Sequence, residues 1–266
     1  MGRNKSNFVD LCQGDFGRKT AYTGVDQITT ENVIQVLLDT IGIHNRNRTM
    51  IDYLYRYYKG DQPILYREKL VRPEVNNRVV ENHALEVVKF KAGQIYGEPI
   101  QYVCKKKNAD ENINEQVDLL NDYLDEANAD ARNIQLGIYQ SAVGTAYKAI
   151  LREDEWTKDG DLPPFRIFIP YPGDVYIIYS SITGKPMVSV HVLKDEDSKQ
   201  YYMLYSSKLY FRIQNGKLTD TGINGFGGIP IVEYPNNHDR LSDVEIAITA
   251  FDAINKYQSD RLNGVE

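Results

Sequence analysis

Apolar residues recur at helical spacing through the first half of the chain. Spacings of three and four residues between apolar positions predict five helices there. They cover residues 29–38, 48–58, 77–97, 112–127 and 130–142. Gly42 and Gly60 are expected to end the first two helices, and Asn77 is expected to cap the third. The third helix has a continuous apolar stripe, so we predict that it is a buried central helix.

From residue 144 onward the pattern changes to the two-residue alternation of β-strands. The strand candidates are residues 147–151, 166–169, 175–179, 187–193, 201–205, 209–213, 217–219 and 229–234. Turn residues separate them, and Asn215-Gly216 is a strong signal for a tight hairpin. Helices lie before and after the strands and do not alternate with them. The sequence therefore predicts an α+β fold with an antiparallel, meandering sheet and a long C-terminal helix.

The C-terminal helix has an apolar beginning and a polar end. Ser242 and Glu245 form a capping box, and an apolar face follows at Val244, Ile248 and Phe251. The polar end carries Asn255, Lys256, Gln258, Ser259, Asp260, Arg261 and Asn263. Such an end buries little apolar area, so we expect that it needs a partner outside this chain, either a neighbouring subunit or a continuation of the same protein.

Composition narrows the possible functions. A chain of 266 residues with 42% hydrophobic residues can form a folded core, and a net charge of −6 argues against tight binding of nucleic acid. The run of three lysines at residues 105–107 is best explained as a solvated loop. The two cysteines are expected to be reduced bystanders, the four histidines lack metal-ligand spacing, and no cofactor is expected. No stretch resembles a signal peptide or a membrane helix, so we expect assembly in a cytosol.

Two acidic clusters raise the possibility of catalysis. Residues 153–155 are Glu-Asp-Glu and residues 195–197 are Asp-Glu-Asp, and paired carboxylates can hold Mg²⁺ for nuclease chemistry. Both clusters fall at predicted turns without an apolar wall, so solvated turns are the better explanation. The glycine-rich loop before residue 229 leads into a strand, whereas a phosphate loop must open a helix. We therefore predict that the chain is not an enzyme.

Several motifs, taken in order, resemble the portal proteins of tailed double-stranded-DNA bacteriophages, of the siphovirus type. They are YYKGDQPIL, NNRVVENHALEVVKFKAGQIYGEPI, GFGGIPIVEYPNN, RLSDVE and FDAINKYQSDRLNGVE. The resemblance implies an N-terminal arm and helix at residues 1–52, a wing domain at 53–241 and the start of a stem helix at 242–266. The family's clip and crown regions are expected to be missing after residue 266.

The resemblance also implies a function. Similar proteins form a ring, commonly of twelve subunits, at one vertex of the virion capsid, and the ring assembles in the host cytoplasm. DNA passes through it without sequence-specific binding during packaging and ejection. The expected partners are the terminase large subunit, the major capsid and scaffolding proteins, and head-completion or adaptor proteins. No association with a membrane is expected. Alternatives are a phage metal-dependent nuclease and a head adaptor or scaffold protein that does not line the channel.

Within such a ring, the polar residues of the C-terminal helix are the candidate oligomer interface. They are Asn255, Lys256, Gln258, Ser259, Asp260, Arg261 and Asn263. Their mixture of both charge signs with amides suits a contact that is repeated around a head-to-tail ring. The acidic balance would suit a channel that does not trap DNA, or would simply keep the protein soluble.

Overall fold

A computed structural model of the chain describes residues 16–104, 111–153 and 163–265. The helices are α1 (Val33–Tyr58), α2 (His83–Tyr96), α3 (Glu111–Glu126), α4 (Ala129–Val143) and α5 (Asp243–Asn263). The strands are β1 (Ala21–Thr23), β2 (Thr145–Arg152), β3 (Phe165–Phe168), β4 (Val175–Ser180), β5 (Pro186–Lys194), β6 (Gln200–Ser206), β7 (Leu209–Gln214), β8 (Lys217–Ile223) and β9 (Ile231–Pro235). Short 3-10 turns lie at Pro63–Tyr66 and Pro172–Asp174.

The strands form two sheets instead of the single sheet that we predicted. The larger sheet has the order β1-β4-β5-β6-β7-β8, and the smaller one has the order β3-β2-β9. Strands β4 to β8 form the predicted antiparallel meander, whereas β1 pairs with β4 in parallel. β1 was missed because three residues are too short to show an alternation. The mixed fold, with a helical N-terminal half and mainly antiparallel sheets, is confirmed.

The turn between β7 and β8 is formed as the sequence predicts. Asn215 and Gly216 both have positive φ angles, of 52° and 71°. Two positive φ angles in a two-residue loop are the geometry of a type I′ turn, whose twist matches the flanking strands. The local hairpin signal was therefore sufficient here.

Helix α1 joins the two main parts of the core. Its first turns pack Val33 and Leu37 against the larger sheet, in one cluster with Ile178, Leu204 and Phe211. Its last turns belong to a second cluster that α2, α4 and α5 complete. The helix therefore fixes the helical layer relative to the sheet.

The prediction of two helices separated at Gly42 was wrong, because α1 is continuous over 26 residues. An isolated glycine costs a helix about 1 kcal/mol relative to alanine, which the packing at both ends of α1 offsets. The predicted boundary between residues 52 and 53 falls inside this helix. The division of the chain into three parts stays a prediction.

Helix α2 begins five residues later than we predicted. Its cap is Asn82, whose side chain accepts a hydrogen bond from the Leu85 N–H, and residues 76–82 are not helical. Gly97 follows its last turn, as predicted. The helix buries Ala84, Val88 and Ala92, but Phe90 is 71% exposed, so α2 is not the fully buried helix that we expected. We call residues 76–82 the strap.

Some sequence predictions fall outside the described residues. They concern Cys12, the basic run at residues 105–107, and Asp154 and Glu155 of the first acidic cluster. Cys104 is described and is a free thiol. In the described part of the chain, no helix has both the length and the hydrophobicity needed to cross a membrane.

Candidate functional site

The amino end of α5 is closed by the predicted capping box. The Ser242 hydroxyl oxygen accepts hydrogen bonds from the N–H groups of Val244 and Glu245, at 3.0 and 3.2 Å. The Ser242 N–H donates to the Glu245 carboxylate at 3.3 Å. The Ser242 hydroxyl also donates to the Ala142 carbonyl at 2.7 Å, which fastens the cap to the end of α4.

A buried ion pair fixes the same end of α5. The Arg18 guanidinium donates to both carboxylate oxygens of Glu245 at 2.8 Å, and the two side chains are 1% and 0% exposed. The Gly17 N–H donates to Glu245 at 3.0 Å. Burial lowers the pKa of Arg18, although the Glu245 carboxylate opposes that shift. Removal of one partner from such a pair leaves an uncompensated buried charge.

Gly17 is required by the close approach of two chain segments. It has a φ angle of 75°, and a Cβ at this position would lie 2.2 Å from the Asp239 carbonyl oxygen. Only glycine satisfies both conditions. Gly17 and Arg18, which lie before α1, therefore hold the beginning of α5.

A second set of charges supports the turn before α5. The Lys91 ammonium donates to Asp243 at 2.8 Å and to Asn236 at 2.9 Å, and the Ser141 hydroxyl donates to Asp243 at 2.7 Å. Nearby, Arg240 donates to both carboxylate oxygens of Glu233 at 2.8 and 2.9 Å. α2, α4 and β9 are thus all joined to the α5 end.

The Glu233 carboxylate stays charged although it is buried. Burial is the largest single influence and raises its pKa, but hydrogen bonds from Arg240, Tyr179 and Thr145 outweigh it, and the pKa is lowered. The Arg240–Glu233 pair is therefore a structural ion pair that holds the turn between β9 and α5.

The second half of α5 is held by a different kind of contact, in which its side chains bond to the backbone of the strap. The Asn77 N–H donates to Asn263 at 2.7 Å, the Val79 N–H to Ser259 at 2.9 Å, and the Glu81 N–H to Asn255 at 2.8 Å. We call these three bonds the ladder. They supply acceptors for backbone N–H groups that have no sheet partner.

The ladder follows from two matching repeats. Alternate residues of an extended segment point their N–H groups to one side about every 6.7 Å. Residues four apart on a helix lie on one face about 6 Å apart along the axis. Asn255, Ser259 and Asn263 are spaced by four, and their acceptors therefore meet Glu81, Val79 and Asn77, which are spaced by two.

Further polar contacts surround the ladder. Gln258 donates to the Glu81 carboxylate at 3.1 Å, and the buried Asn255 amide donates to Gln62. At the exposed end, Arg67 donates to Asp260 at 2.7 Å, and this contact lowers the pKa of Asp260. Most polar residues at the end of α5 therefore have partners within their own subunit.

We expected this polar end to need a partner outside the chain, but it finds partners within the chain, so that expectation was wrong. Its role as an oligomer interface stays a prediction. Five of the seven candidate interface residues bond to the strap or to the segment before it: Asn255, Gln258, Ser259, Asp260 and Asn263. Lys256 and Arg261 are exposed, and Tyr257, which sequence reasoning missed, is 68% exposed beside them. The spacing of short polar side chains by four was the signal that could have revealed the ladder.

The second acidic cluster is used to close a turn. Asp195 accepts hydrogen bonds from the Lys199 N–H and from the Gln214 amide, both at 2.7 Å. Although burial acts in the opposite direction, these bonds lower the pKa of Asp195. Over residues 16–104, 111–153 and 163–265, no group of three or more His, Cys, Asp or Glu side chains is placed to hold a metal ion.

Comparison with known proteins adds one finding. No curated protein matches the chain. A family model described as "Phage portal protein, SPP1 Gp6-like" matches residues 38–266. The match begins inside α1 and includes the strap and α5, so it contains the ladder, whereas Gly17 and Arg18 lie before its first residue.

Proposed function

The chain belongs to the SPP1 Gp6-like family of phage portal proteins, and from this premise we propose that it is one subunit of a closed ring at a capsid vertex. Double-stranded DNA would pass through this ring during packaging and ejection. The observation that carries the proposal is the family match, which covers residues 38–266. The family is structural rather than enzymatic, and the proposal accordingly includes no catalytic step.

The form of α5 supports a role in the ring. Its amino end is fixed by the buried Arg18–Glu245 pair, which sets the direction of the helix. Its second half is held on one side by the ladder, so the opposite side remains exposed. A rigidly directed helix with one free side can contact the next subunit around an axis.

We place the α5 contact on its exposed residues, Lys256, Tyr257, Asp260 and Arg261. Tyr257 supplies an aromatic surface, and aromatic residues and arginine are enriched in protein interfaces. Asn255 and Ser259 are buried in their own subunit and therefore position the helix without touching a neighbour. Both charge signs occur in the exposed set, which suits a contact that is repeated head to tail between identical subunits.

The proposed ring is a dodecamer that meets several partners in turn. These are the major capsid and scaffolding proteins during assembly in the host cytoplasm, the terminase large subunit during packaging, and head-completion or adaptor proteins afterwards. The net charge of −6 for each subunit suits transient passage of DNA, because an acidic wall does not hold phosphates.

Mass measurement and negative-stain imaging of the purified protein test the proposal. We expect closed rings with a central hole, and we expect Tyr257→Ala to reduce the ring fraction. The matched control is Tyr22→Ala, at an exposed tyrosine on β1, which should leave the rings intact. A protein that stays monomeric contradicts the proposal, and small complexes without a hole would instead indicate a head adaptor.

A further inference from the structure

The segment between the 3-10 turn at Pro63–Tyr66 and the strap presents two unprotected apolar side chains. Leu70 is 99% exposed and Val71 is 79% exposed. Lys69 precedes them and Arg72 follows them, so the four residues form an apolar pair between two cations. We call residues 69–72 the loop tip. Adjacent large apolar side chains that are almost fully exposed mark an interaction site more often than chance.

The loop tip has a defined shape. The Lys69 ammonium donates to the Val75 carbonyl at 3.0 Å, and Asn76 donates to the Arg67 carbonyl at 3.1 Å. Arg67 is joined in turn to Asp260 at the end of α5. These bonds close the base of the loop, so the apolar pair projects from a supported turn.

Helix α3 offers a surface with the complementary properties. Its sequence from 111 to 126 contains six Asp or Glu residues and no Lys or Arg. None of its described side chains is buried, and Leu119 and Leu120 are both exposed. Glu115 and Asp122 lie one turn before and one turn after Leu119, so acidic side chains flank the apolar pair. We call Glu115, Leu119, Leu120 and Asp122 the α3 face.

The dimensions of the two surfaces agree. Glu115 and Asp122 are seven residues apart on a helix, which separates them by about 10 Å. Lys69 and Arg72 are three residues apart on an irregular segment, so their Cα atoms lie at most about 11 Å apart, and their long side chains extend the reach on both sides. Arg72 already lies 3.7 Å from the Glu74 carboxylate, but this pair is exposed and weak, so a carboxylate of a neighbour can replace it. The two cations can therefore meet two carboxylates while Leu70 and Val71 contact Leu119 and Leu120.

Within one subunit, the two surfaces lie near opposite ends of α2. The loop tip lies beside the end of α5, near the start of α2, because the strap joins them. The α3 helix lies near the other end of α2, since Asn121 exchanges two hydrogen bonds of 3.0 Å with the backbone of Tyr102. The 14 residues of α2 separate these ends by about 21 Å. Different surfaces at opposite ends of a subunit are what a head-to-tail contact uses.

We propose that the loop tip of one subunit docks on the α3 face of the next subunit around the ring. This inference rests on the proposed function, because it presumes a ring. The partner is a second copy of this chain. Burial of the apolar pairs favours the contact, while the opposite charges fix its register and raise its rate of formation.

Charge reversal tests the contact on each side separately. We expect Lys69→Glu with Arg72→Glu to weaken assembly about tenfold or more, and Glu115→Lys with Asp122→Lys to do the same. Combination of the four changes should restore most of the assembly, because the charges are then exchanged. Circular dichroism and the melting temperature of each variant check that the fold is intact. Lys69→Gln with Arg72→Gln loses the Lys69–Val75 bond without reversing the charges, and it should weaken assembly less than the charge reversal does. The matched control is Lys217→Glu with Lys208→Glu, at cations near β8 and β7, which should assemble normally.

Disulfide cross-linking tests the direction of the contact. Leu70→Cys and Leu119→Cys are placed together in a chain with Cys12→Ser and Cys104→Ser, and the protein is mildly oxidised. Head-to-tail docking predicts a series of covalent oligomers of increasing size, up to the full ring. The same protein with Ile223→Cys in place of Leu119→Cys is the matched control and should give no series of covalent oligomers.

The outcomes separate the two proposals. Rings that persist in both charge-reversed variants, or cross-linking that stops at dimers, overturn the docking contact and leave the ring itself standing. A wild-type protein that remains monomeric overturns both the docking contact and the proposed function.

Discussion

The two halves of α5 are attached to the subunit in different ways. The first half buries Val244, Ile248 and Phe251 in the helical core, and its amino end is fixed by the buried Arg18–Glu245 pair. The second half has no comparable apolar contact and is held by the ladder. Apolar burial can be undone only by unfolding of the core, whereas each hydrogen bond contributes about 0.5–1.5 kcal/mol net and can be exchanged for another partner. The second half is therefore the part of α5 that a neighbouring subunit can influence.

The largest expected effect is loss of the buried ion pair. Glu245→Ala leaves the Arg18 guanidinium charged and without its partner, and it should destabilise the protein by about 3–5 kcal/mol. Urea denaturation followed by circular dichroism measures this loss. The matched control is Asp197→Ala at the exposed Lys199–Asp197 pair, which should cost less than about 1 kcal/mol. An equal loss of stability in both variants would contradict the distinct role of the first half of α5.

Acid should also destabilise the subunit, through a buried histidine of α1 that stacks on Tyr176. Burial, and then the charge of Arg48, lower the pKa of His44 to about 4. The unfolded chain takes up this proton near its ordinary pKa of about 6.5, so the stabilisation is complete above that pH and is lost as the pH falls towards 4. The loss reaches about 3 kcal/mol for this one group.

The pH effect can be assigned with one variant. His44→Phe keeps an aromatic ring stacked on Tyr176 but cannot titrate. Urea denaturation between pH 7.5 and 4.5 should show a shallower fall in the free energy of unfolding for the variant than for the wild type. Parallel pH profiles would show that His44 does not carry the effect.

A smaller effect is expected at the ladder. Ser259→Ala leaves the Val79 N–H without its acceptor and should cost about 1–2 kcal/mol. Hydrogen exchange of the Val79 amide should accelerate, while exchange of the amides in the first half of α5 should change little. The matched control is Thr249→Ala at an exposed position of the same helix, which leaves the ladder untouched. Acceleration throughout α5 would mean that the two halves unfold together.

The smallest effect is expected at the Arg67–Asp260 pair. The Asp260 side chain is half exposed, and ion pairs of this kind contribute about 0.2–1 kcal/mol. Asp260→Asn should therefore change the free energy of unfolding by less than about 1 kcal/mol, and 1 M NaCl should remove most of that difference. A loss as large as that of Ser259→Ala would mean that the pair belongs to the ladder energetically.

Sequence patterns predicted the parts of the fold that local signals determine. The capping box at Ser242, the hairpin at Asn215 and the meander from β4 to β8 are all set by residues close together in the chain. α1 was divided wrongly because a glycine signal was weighed without the tertiary packing at both ends of the helix.

The candidate site was harder to predict because its contacts join distant segments. The ladder pairs residues 77–81 with residues 255–263, and the buried ion pair joins Arg18 to Glu245. The strap was predicted to be helical. In a helix its N–H groups would bond to backbone carbonyl groups of the same helix and would not need acceptors from α5. The sequence did contain one signal, which is the spacing by four of Asn255, Ser259 and Asn263. The segment that these side chains bind could not be predicted until the strap was known to be extended.

Hydrogen exchange of α5 in the monomer and in the assembled protein tests the central claim most directly. In the monomer, we predict that the amides of residues 255–263 exchange through local opening, whereas those of residues 247–252 exchange only with global unfolding. Assembly should slow exchange selectively at residues 255–263. Equal protection of both halves in the monomer, with no change on assembly, would contradict the account.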